Sequence, residues 1–205
     1  MEAAPERFGR GPERLEAFSD GVFAIAITLL VLDIRLPDLT QMSTADQIGR
    51  ALVALWPSYV GYFVSFITIG NAWINHHNLF RFLGSVSHGV LISNLLLLLA
   101  IGFIPFPTAL LARTLGGPGE QIGVVVYAAT FFANALAFNL LWVQVKRVLK
   151  PGSPPAAVAA INRSYRLGPP VSLGALVISF AFPVAGLAII TGLMILYLLP
   201  RSTGA

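Results

Sequence analysis

A charged motif near the start of the chain runs without a break into a long apolar segment. The motif occupies residues 14–21, with the sequence Arg-Leu-Glu-Ala-Phe-Ser-Asp-Gly. Motif and apolar segment together predict a helix over residues 14–35, which ends before Pro37 because proline disfavours helix in the residue ahead of it. About 22 residues at about 1.5 Å each can cross a hydrocarbon core of about 30 Å. An ionised Asp20 is costly inside hydrocarbon, so it is expected near the bilayer edge or facing protein or water.

The composition places the rest of the chain in a membrane as well. Of its 205 residues 56% are hydrophobic and 11% are charged, whereas soluble domains carry about 25% charged residues. The chain has no cysteine, which excludes disulfides, thiolate catalysis and cysteine-ligated metal centres. Its net charge of +4 does not indicate nucleic-acid binding, because the basic residues flank apolar segments and form no polar domain.

The remaining apolar segments predict five more helices. Three of them cover residues 48–75, 84–111 and 120–148. The last apolar stretch, residues 167–199, is about 50 Å long as a helix, too long for one crossing. Pro183 lies in its middle, so two short helices that turn near residues 183–186 are expected.

Two polar stretches are interpreted as loops, and short signals mark helix ends. The loops are residues 36–49 and residues 146–166, the second of which holds basic residues and no acid. Ser43 or Thr44 could cap the second helix. Two prolines, Pro105 and Pro107, are expected to kink or end the third.

The fold class is therefore an all-α polytopic membrane protein with six transmembrane helices. They form one domain over residues 14–199, between an arm of residues 1–13 and a tail of residues 200–205. With both termini inside, the inner segments hold ten of the 13 basic residues: Arg7, Arg10, Arg14, Arg81, Lys146, Arg147, Lys150, Arg163, Arg166 and Arg201. The outer segments hold Arg35, Arg50 and Arg113. This bias follows the positive-inside rule, so both termini are expected in the cytoplasm and the protein in the cell membrane.

The motif carries a family resemblance. The chain matches the signature Arg-x-x-x-Phe-Ser-Asp-Gly at five positions: Arg14, Phe18, Ser19, Asp20 and Gly21. This signature is typical of the transmembrane protein 175 family, the potassium channels of endolysosomes and their prokaryotic relatives. Outside the motif the chain resembles the family through its number of helices and through a cluster at the end of the second helix, Trp73, His76 and His77.

The resemblance implies a function and a pore. In this family large aliphatic side chains of the first helix form the constriction, and they correspond here to Ile25, Leu29 and Leu32, with Thr28 beside them. It also implies potassium as the permeant ion without another cofactor. Because the prokaryotic relatives with six helices per chain are tetramers, it further implies a homotetramer.

The residues alone leave the role of this stripe open. Ile25, Leu29 and Leu32 lie on one helical face by their spacing of four and three residues. Such a face can line a pore, but it can equally contact lipid or a neighbouring helix. Thr28 could offer its oxygen to an ion, or it could bond back to a helix carbonyl.

A second group of residues could support the first helix. Arg14, Ser19 and Asp20 are expected at the same membrane depth as the cluster at the end of the second helix. An Arg–Asp pair or a His–Asp hydrogen bond between them would fix the tilt of the first helix. In the alternative interpretation, His76 and His77 only contact headgroups or water.

Other functional classes fit less well. An enzyme is not expected: Ser19 and Asp20 point about 100° apart on one helix, and no loop offers an oxyanion hole. Neighbouring histidines on a helix diverge, so His76 and His77 are a weak metal site. A secondary transporter remains an alternative, although the sequence shows no inverted repeat. A non-conducting accessory subunit is another. Expected partners are further copies of the chain and membrane lipid, with no nucleic acid and no small-molecule substrate.

Overall fold

The chain forms a bundle of α-helices, seen here in a computed structural model that describes residues 11–198. Eight α-helices lie in this range. They are α1 (Pro12–Leu29), α2 (Ala45–Ala54), α3 (Trp56–Phe80), α4 (His88–Phe103), α5 (Pro105–Thr114), α6 (Glu120–Val145), α7 (Pro155–Ser179) and α8 (Pro183–Leu198). Single 3-10 turns follow α1 at Leu30–Asp33 and α6 at Lys146–Val148. The predicted all-α class is confirmed.

Three helical segments in residues 11–198 are long and apolar enough to cross a membrane: Pro12–Asp33, His88–Thr114 and Glu120–Val148. The pair α2 and α3 makes a fourth if it counts as one span, although its two helices are bent by 45°. Length and composition therefore support three or four of the six predicted crossings.

The predicted signals mark helix ends, but two predicted boundaries are wrong: the loop over residues 36–49 ends at Thr44, just before α2 begins, and the single helix over residues 48–75 is divided at Leu55 into α2 and α3, bent by 45°. Thr44 caps α2, accepting a hydrogen bond from the Gln47 backbone, while the Gln47 side chain accepts from the Thr44 backbone. This reciprocal pair satisfies two amides that the first turn leaves unpaired. The prolines at 105 and 107 separate α4 from α5 at Ile104, since proline removes a backbone donor and crowds the preceding turn.

The loop predicted over residues 146–166 is wrong in its second half, because α7 already begins at Pro155. Proline suits the first turn of a helix, and alanines, the best helix formers, follow at positions 156, 157, 159 and 160. The basic residues of this stretch hid the helix, since Arg163 and Arg166 lie on α7 itself. The turn between the last two helices lies slightly before the predicted residues 183–186, since α8 already starts at Pro183.

The core of the bundle has two parts. In the first, the buried side chains of α1 pack against α3, α4 and α6, with Phe23, Leu79, Leu97 and Trp142 among the members. The second lies between α3, α5, α6, α7 and α8 around Tyr127. Helix α1 contributes to the first part alone, which leaves its opposite face uncovered by the chain.

One short bridge fixes which helix ends share an end of the bundle. The Gly84 amide donates to the Val148 carbonyl at 2.9 Å, and the Lys150 amide donates to the Phe82 carbonyl at 2.9 Å. The end of α3 and the end of α6 therefore lie side by side. The start of α1 lies at the same end, since its residues contact the last turns of α3.

Candidate functional site

Helix α1 has one buried face and one open face. Leu15, Ser19, Phe23 and Ala26 are buried, at the helical spacing of three and four residues that places them on one side. The opposite face is apolar and open: Phe18, Ile25 and Leu29, with Leu32 in the 3-10 turn that follows α1, have 55%, 62%, 43% and 68% of their surface exposed. This open face is called the α1 stripe below.

The α1 stripe contains the predicted constriction and the glycine of the motif. A Cβ atom added at Gly21 would have no neighbour within 4 Å in its own chain, so this position is open too. From Phe18 the stripe continues at intervals of three or four residues through Gly21, Ile25 and Leu29. It thus runs from Phe18 to Leu29 without a charged side chain, and the exposed Arg14 lies one turn before it.

Thr28 lies on the open side of α1, with its hydroxyl bonded back to the helix. Its Oγ1 lies 2.9 Å from the Ala24 carbonyl and 2.9 Å from the Ile25 carbonyl. A hydroxyl that donates its proton keeps its lone pairs. Thr28 can therefore still present an oxygen acceptor beside the aliphatic residues of the stripe.

The buried face of α1 is held by a chain of hydrogen bonds that crosses three helices. The Ser19 hydroxyl donates to the Leu15 carbonyl at 2.8 Å and accepts from Asn94 Nδ2 at 2.9 Å. Asn94 Oδ1 in turn accepts from His76 Nε2 at 2.9 Å. Ser19, His76 and Asn94 each have 0% of their surface exposed. This chain, called the Ser19–Asn94–His76 chain below, joins α1 to α4 and α3.

Two further contacts join α1 to α3 on either side of this chain. Trp73 Nε1 donates to Asp20 Oδ1 at 2.9 Å. His77 Nδ1 lies 3.1 Å from Glu16 Oε1, and the Trp73 and His77 rings stack with centroids 6.1 Å apart. The motif and the cluster at the end of α3 are thus brought together, as their shared depth predicted.

The contacts themselves differ from the predicted ones. Neither an Arg14–Asp20 pair nor a His–Asp hydrogen bond forms; six positions at about 100° each place Arg14 and Asp20 on different sides of the helix. Tryptophan binds Asp20 instead. Among residues 11–198 the ion pairs are Arg50–Asp46 and His77–Glu16.

Sequence reasoning missed two members of this network. Asn94 is a lone amide just ahead of an unbroken leucine run, and Glu16 lies four residues before Asp20 on the same side of α1. A strongly polar residue in an otherwise apolar helix usually has a partner on another helix. That rule could have identified Asn94 as part of the site.

A separate cavity of about 90 Å³ lies inside the bundle. It is lined by α3, α4, α6, α7 and α8, and its polar residues include Asn71, Asn75, Asn134 and Asn139. No charged side chain lines it. Within residues 11–198 no three histidine, aspartate or glutamate side chains are grouped to hold a metal ion.

Comparison with known proteins identifies the family. The model of the endosomal/lysosomal potassium channel family TMEM175 matches residues 14–105. A crystal structure of a lysosomal potassium-selective channel TMEM175 homolog from Chamaesiphon minutus superposes with a TM-score of 0.80 at 40% identity, covering 91% of this chain and 95% of that one. The chain belongs to the TMEM175 family.

Two bacterial relatives of this TMEM175 chain match it over most of their length. A protein named as a potassium channel in Chamaesiphon minutus is 43% identical over 183 residues, 88% of this chain and 89% of that protein. Another protein named as a potassium channel, from Streptomyces collinus, is 40% identical over 190 residues, 90% of this chain and 89% of that protein. The resemblance inferred from the motif is confirmed.

Proposed function

We propose that the chain is a potassium-selective channel whose ion path is lined by α1 from several subunits. Its membership of the TMEM175 family and the potassium channels among its relatives support this function. The single observation that carries the pore assignment is the α1 stripe. A continuous apolar face left open by its own chain is suited to contact with further copies of α1 around an axis.

The assembly that follows is a homotetramer of six-helix subunits in the cell membrane. In this assembly the pair α2 and α3 counts as one crossing, and the pair α4 and α5 counts as another. Together with α1, α6, α7 and α8 they make six crossings. An even number leaves both termini on one side, and the basic residues favour the cytoplasmic side for them. Lipid surrounds the assembly.

In the proposed mechanism the constriction selects by dehydration. Rings of Ile25, Leu29 and Leu32 narrow the path and bind no ion strongly, so an ion must shed water to pass. Potassium sheds its water at lower cost than sodium. The Thr28 oxygen acceptor lies beside this neck and partly replaces the lost water.

The remaining motif residues keep the neck in position. Ser19 and His76 are fixed through Asn94, and Asp20 through Trp73. These bonds lie on the sides of α1 away from the stripe, so they set the tilt and rotation of the helix without entering the path. Arg14 and His77 lie at the mouth of the path on this proposal.

The test is ion flux through the purified protein in liposomes, with potassium and sodium gradients compared. Wild type should pass potassium faster than sodium, and Leu29→Ala should reduce this preference because a wider neck needs less dehydration. Ile25→Asn should change conductance or selectivity. No flux from a correctly assembled oligomer, in wild type and in both variants, would support the accessory subunit.

A secondary transporter is the second candidate, and the interior cavity is the observation in its favour. A transporter would bind its substrate in that cavity and alternate its access. In that case Asn134→Leu should abolish flux, while the variants of the α1 stripe should leave it unchanged. A channel lined by α1 gives the reverse result.

A further inference from the structure

Two loops that carry basic residues are fastened together at one end of the bundle. The bridge between Gly84 and Val148 brings the loop after α3 against the segment after α6. The approach is close: a Cβ atom at Gly84 would lie 2.9 Å from the Val148 carbonyl oxygen. The bridge thereby gathers four basic residues, called the basic rim below: Arg81, Lys146, Arg147 and Lys150.

The charges of the basic rim have no acidic partner within residues 11–198. All four side chains are exposed. Lys146 Nζ donates to Asn162 Oδ1 at 3.1 Å, and Arg147 Nη1 donates to Gln144 Oε1 at 3.3 Å. Both acceptors are neutral amides, so these contacts orient the side chains and leave the positive charge uncompensated.

The sequence explains why no acid is near. Between Asp46 and Glu120 there is no aspartate or glutamate, and none follows Glu120. Among residues 11–198 the acids near this end, Glu13, Glu16 and Asp20, belong to α1, where Glu16 contacts His77 and Asp20 contacts Trp73. The positive charge of the basic rim is therefore not compensated by an acid among residues 11–198, which suits it to an anionic ligand from outside the chain.

An apolar surface leads directly to the basic rim. Leu136, Leu140 and Val143 on α6 have 47%, 41% and 40% of their surface exposed. Their spacing of four and three residues places them on one face, and Arg147 follows four residues later at the end of that face. This surface is called the α6 stripe below. A ligand that fits it needs an apolar tail and an anionic head.

Helix α4 offers a parallel surface beside it. Ile92, Leu95 and Leu99 are exposed at the same spacing and lead to an exposed His88. The two helices touch at the basic end, where a Cβ atom at Gly89 would lie 2.6 Å from Gln144 Oε1. Gln144 also accepts the hydrogen bond from Arg147. The side chain that could bind an anionic head therefore lies where the apolar surfaces of α4 and α6 end.

We propose that the basic rim binds the phosphate of an anionic phospholipid. Arg147 and Lys150 contact the phosphate, and an acyl chain lies along the α6 stripe. Arginine suits this role because its planar group bonds two phosphate oxygens at once. The site requires that the chain lie in a bilayer, but it does not depend on conduction through α1.

The experiment measures thermal unfolding of the purified full chain in detergent at rising concentrations of three additives. These are dioctanoyl phosphatidylglycerol, dioctanoyl phosphatidylcholine and glycerol 3-phosphate. A ligand that binds the folded state alone raises the unfolding temperature. Wild type should be stabilised by phosphatidylglycerol at concentrations where the zwitterionic lipid and the phosphate without acyl chains have little effect.

The variant Arg147→Gln/Lys150→Gln should weaken the affinity for phosphatidylglycerol by roughly 30-fold, since each basic residue near an anionic surface contributes about fivefold. The matched control Arg50→Gln/Arg113→Gln removes two charges at the opposite end of the bundle, and its affinity should stay within about twofold of wild type. The unfolding temperatures without additive show whether each variant folds. Leu140→Ser leaves the charges intact and should also weaken phosphatidylglycerol binding.

Three outcomes overturn the proposal. Equal loss of affinity in both double variants would mean diffuse attraction by net charge. Equal stabilisation by glycerol 3-phosphate and phosphatidylglycerol would mean that the α6 stripe takes no part. Absence of stabilisation by phosphatidylglycerol in wild type would mean that there is no site. Since ion flux is not measured, each result leaves the proposed channel function to be tested separately.

Discussion

At the scale of single residues, an amide connects the motif serine to the histidine of α3. Ser19 and His76 do not bond to each other. Asn94 lies between them, and an asparagine side chain donates and accepts at the same time. Because its Nδ2 is used by Ser19, its Oδ1 is the acceptor, and His76 must carry its proton on Nε2. These bonds lower the cost of burying three polar side chains among apolar helices, although Nδ1 of His76 is buried without a hydrogen-bond partner among residues 11–198.

Removing the amide should therefore destabilise the subunit. Asn94→Ala leaves the buried Nε2–H of His76 without its acceptor, which costs about 2 kcal/mol. The expected result is a lower free energy of unfolding, measured by thermal or chemical unfolding of the purified protein.

The neighbouring Ser93 supplies a matched control. It is also buried, with 2% of its surface exposed, but its hydroxyl bonds to the Gly89 and Val90 carbonyls of its own helix. Ser93→Ala should change the free energy of unfolding by no more than about 0.5 kcal/mol. Equal losses in the two variants would contradict a special role for the Ser19–Asn94–His76 chain.

At the scale of elements, the two faces of α1 have different partners. The buried side holds the polar contacts to α3 and α4, whereas the α1 stripe makes few contacts within the chain. A small residue, Gly21, lies in the stripe next to Phe18, where a neighbouring copy of α1 can approach closely. The proposed assembly depends on this surface.

A large side chain at Gly21 should affect assembly and leave the subunit folded. In Gly21→Leu nothing within 4 Å of the new Cβ opposes it in its own chain, and leucine favours helix over glycine by about 1 kcal/mol. The oligomer should dissociate more easily, as measured by light scattering after size exclusion, or it should lose potassium flux, as measured in liposomes.

Gly70→Leu on α3 is the matched comparison, because a Cβ at Gly70 is also free of neighbours within 4 Å. Its oligomer and flux should resemble those of wild type. If Gly21→Leu behaves in the same way, α1 does not pack against copies of itself at this position.

The sequence predicted helices better than it predicted their partners. Apolar runs bounded by proline located α1, α4, α5 and α6, since these signals are local. The sequence predicts the start of α7 too late, because Arg163 and Arg166 make its first half resemble a loop. The partners of Ser19 and Asp20 depend on how α1, α3 and α4 rotate about their axes, which no spacing within one helix reveals. Shared depth could be predicted, but the bonds to Asn94 and Trp73 could not.

At the scale of the whole molecule, the proposed tetramer places one helix of every subunit at a common axis and the others outside it. The chain contains no cysteine, so a single introduced thiol is unique. Ile25→Cys should therefore link subunits when membranes are treated with a short bismaleimide. The expected product is a covalent dimer on denaturing gels, because thiols of neighbouring subunits face one path.

Leu140→Cys is the control for chance collisions in the membrane. Leu140 is also exposed but lies on the α6 stripe, which faces lipid in the proposed assembly, so it should give little dimer under the same treatment. Dimers formed equally well from both positions, or from Leu140→Cys alone, would contradict a central position for α1.

The two faces of α1 also have a consequence for how such a protein changes over evolutionary time. Substitutions on the buried face are constrained by folding, because they disturb bonds to α3 and α4. Substitutions on the open face disturb few contacts within the subunit, so they can accumulate with little loss of stability. If α1 lines the pore as proposed, ion preference can be adjusted by selection almost independently of foldability, and engineered selectivity should be sought at Ile25, Thr28, Leu29 and Leu32.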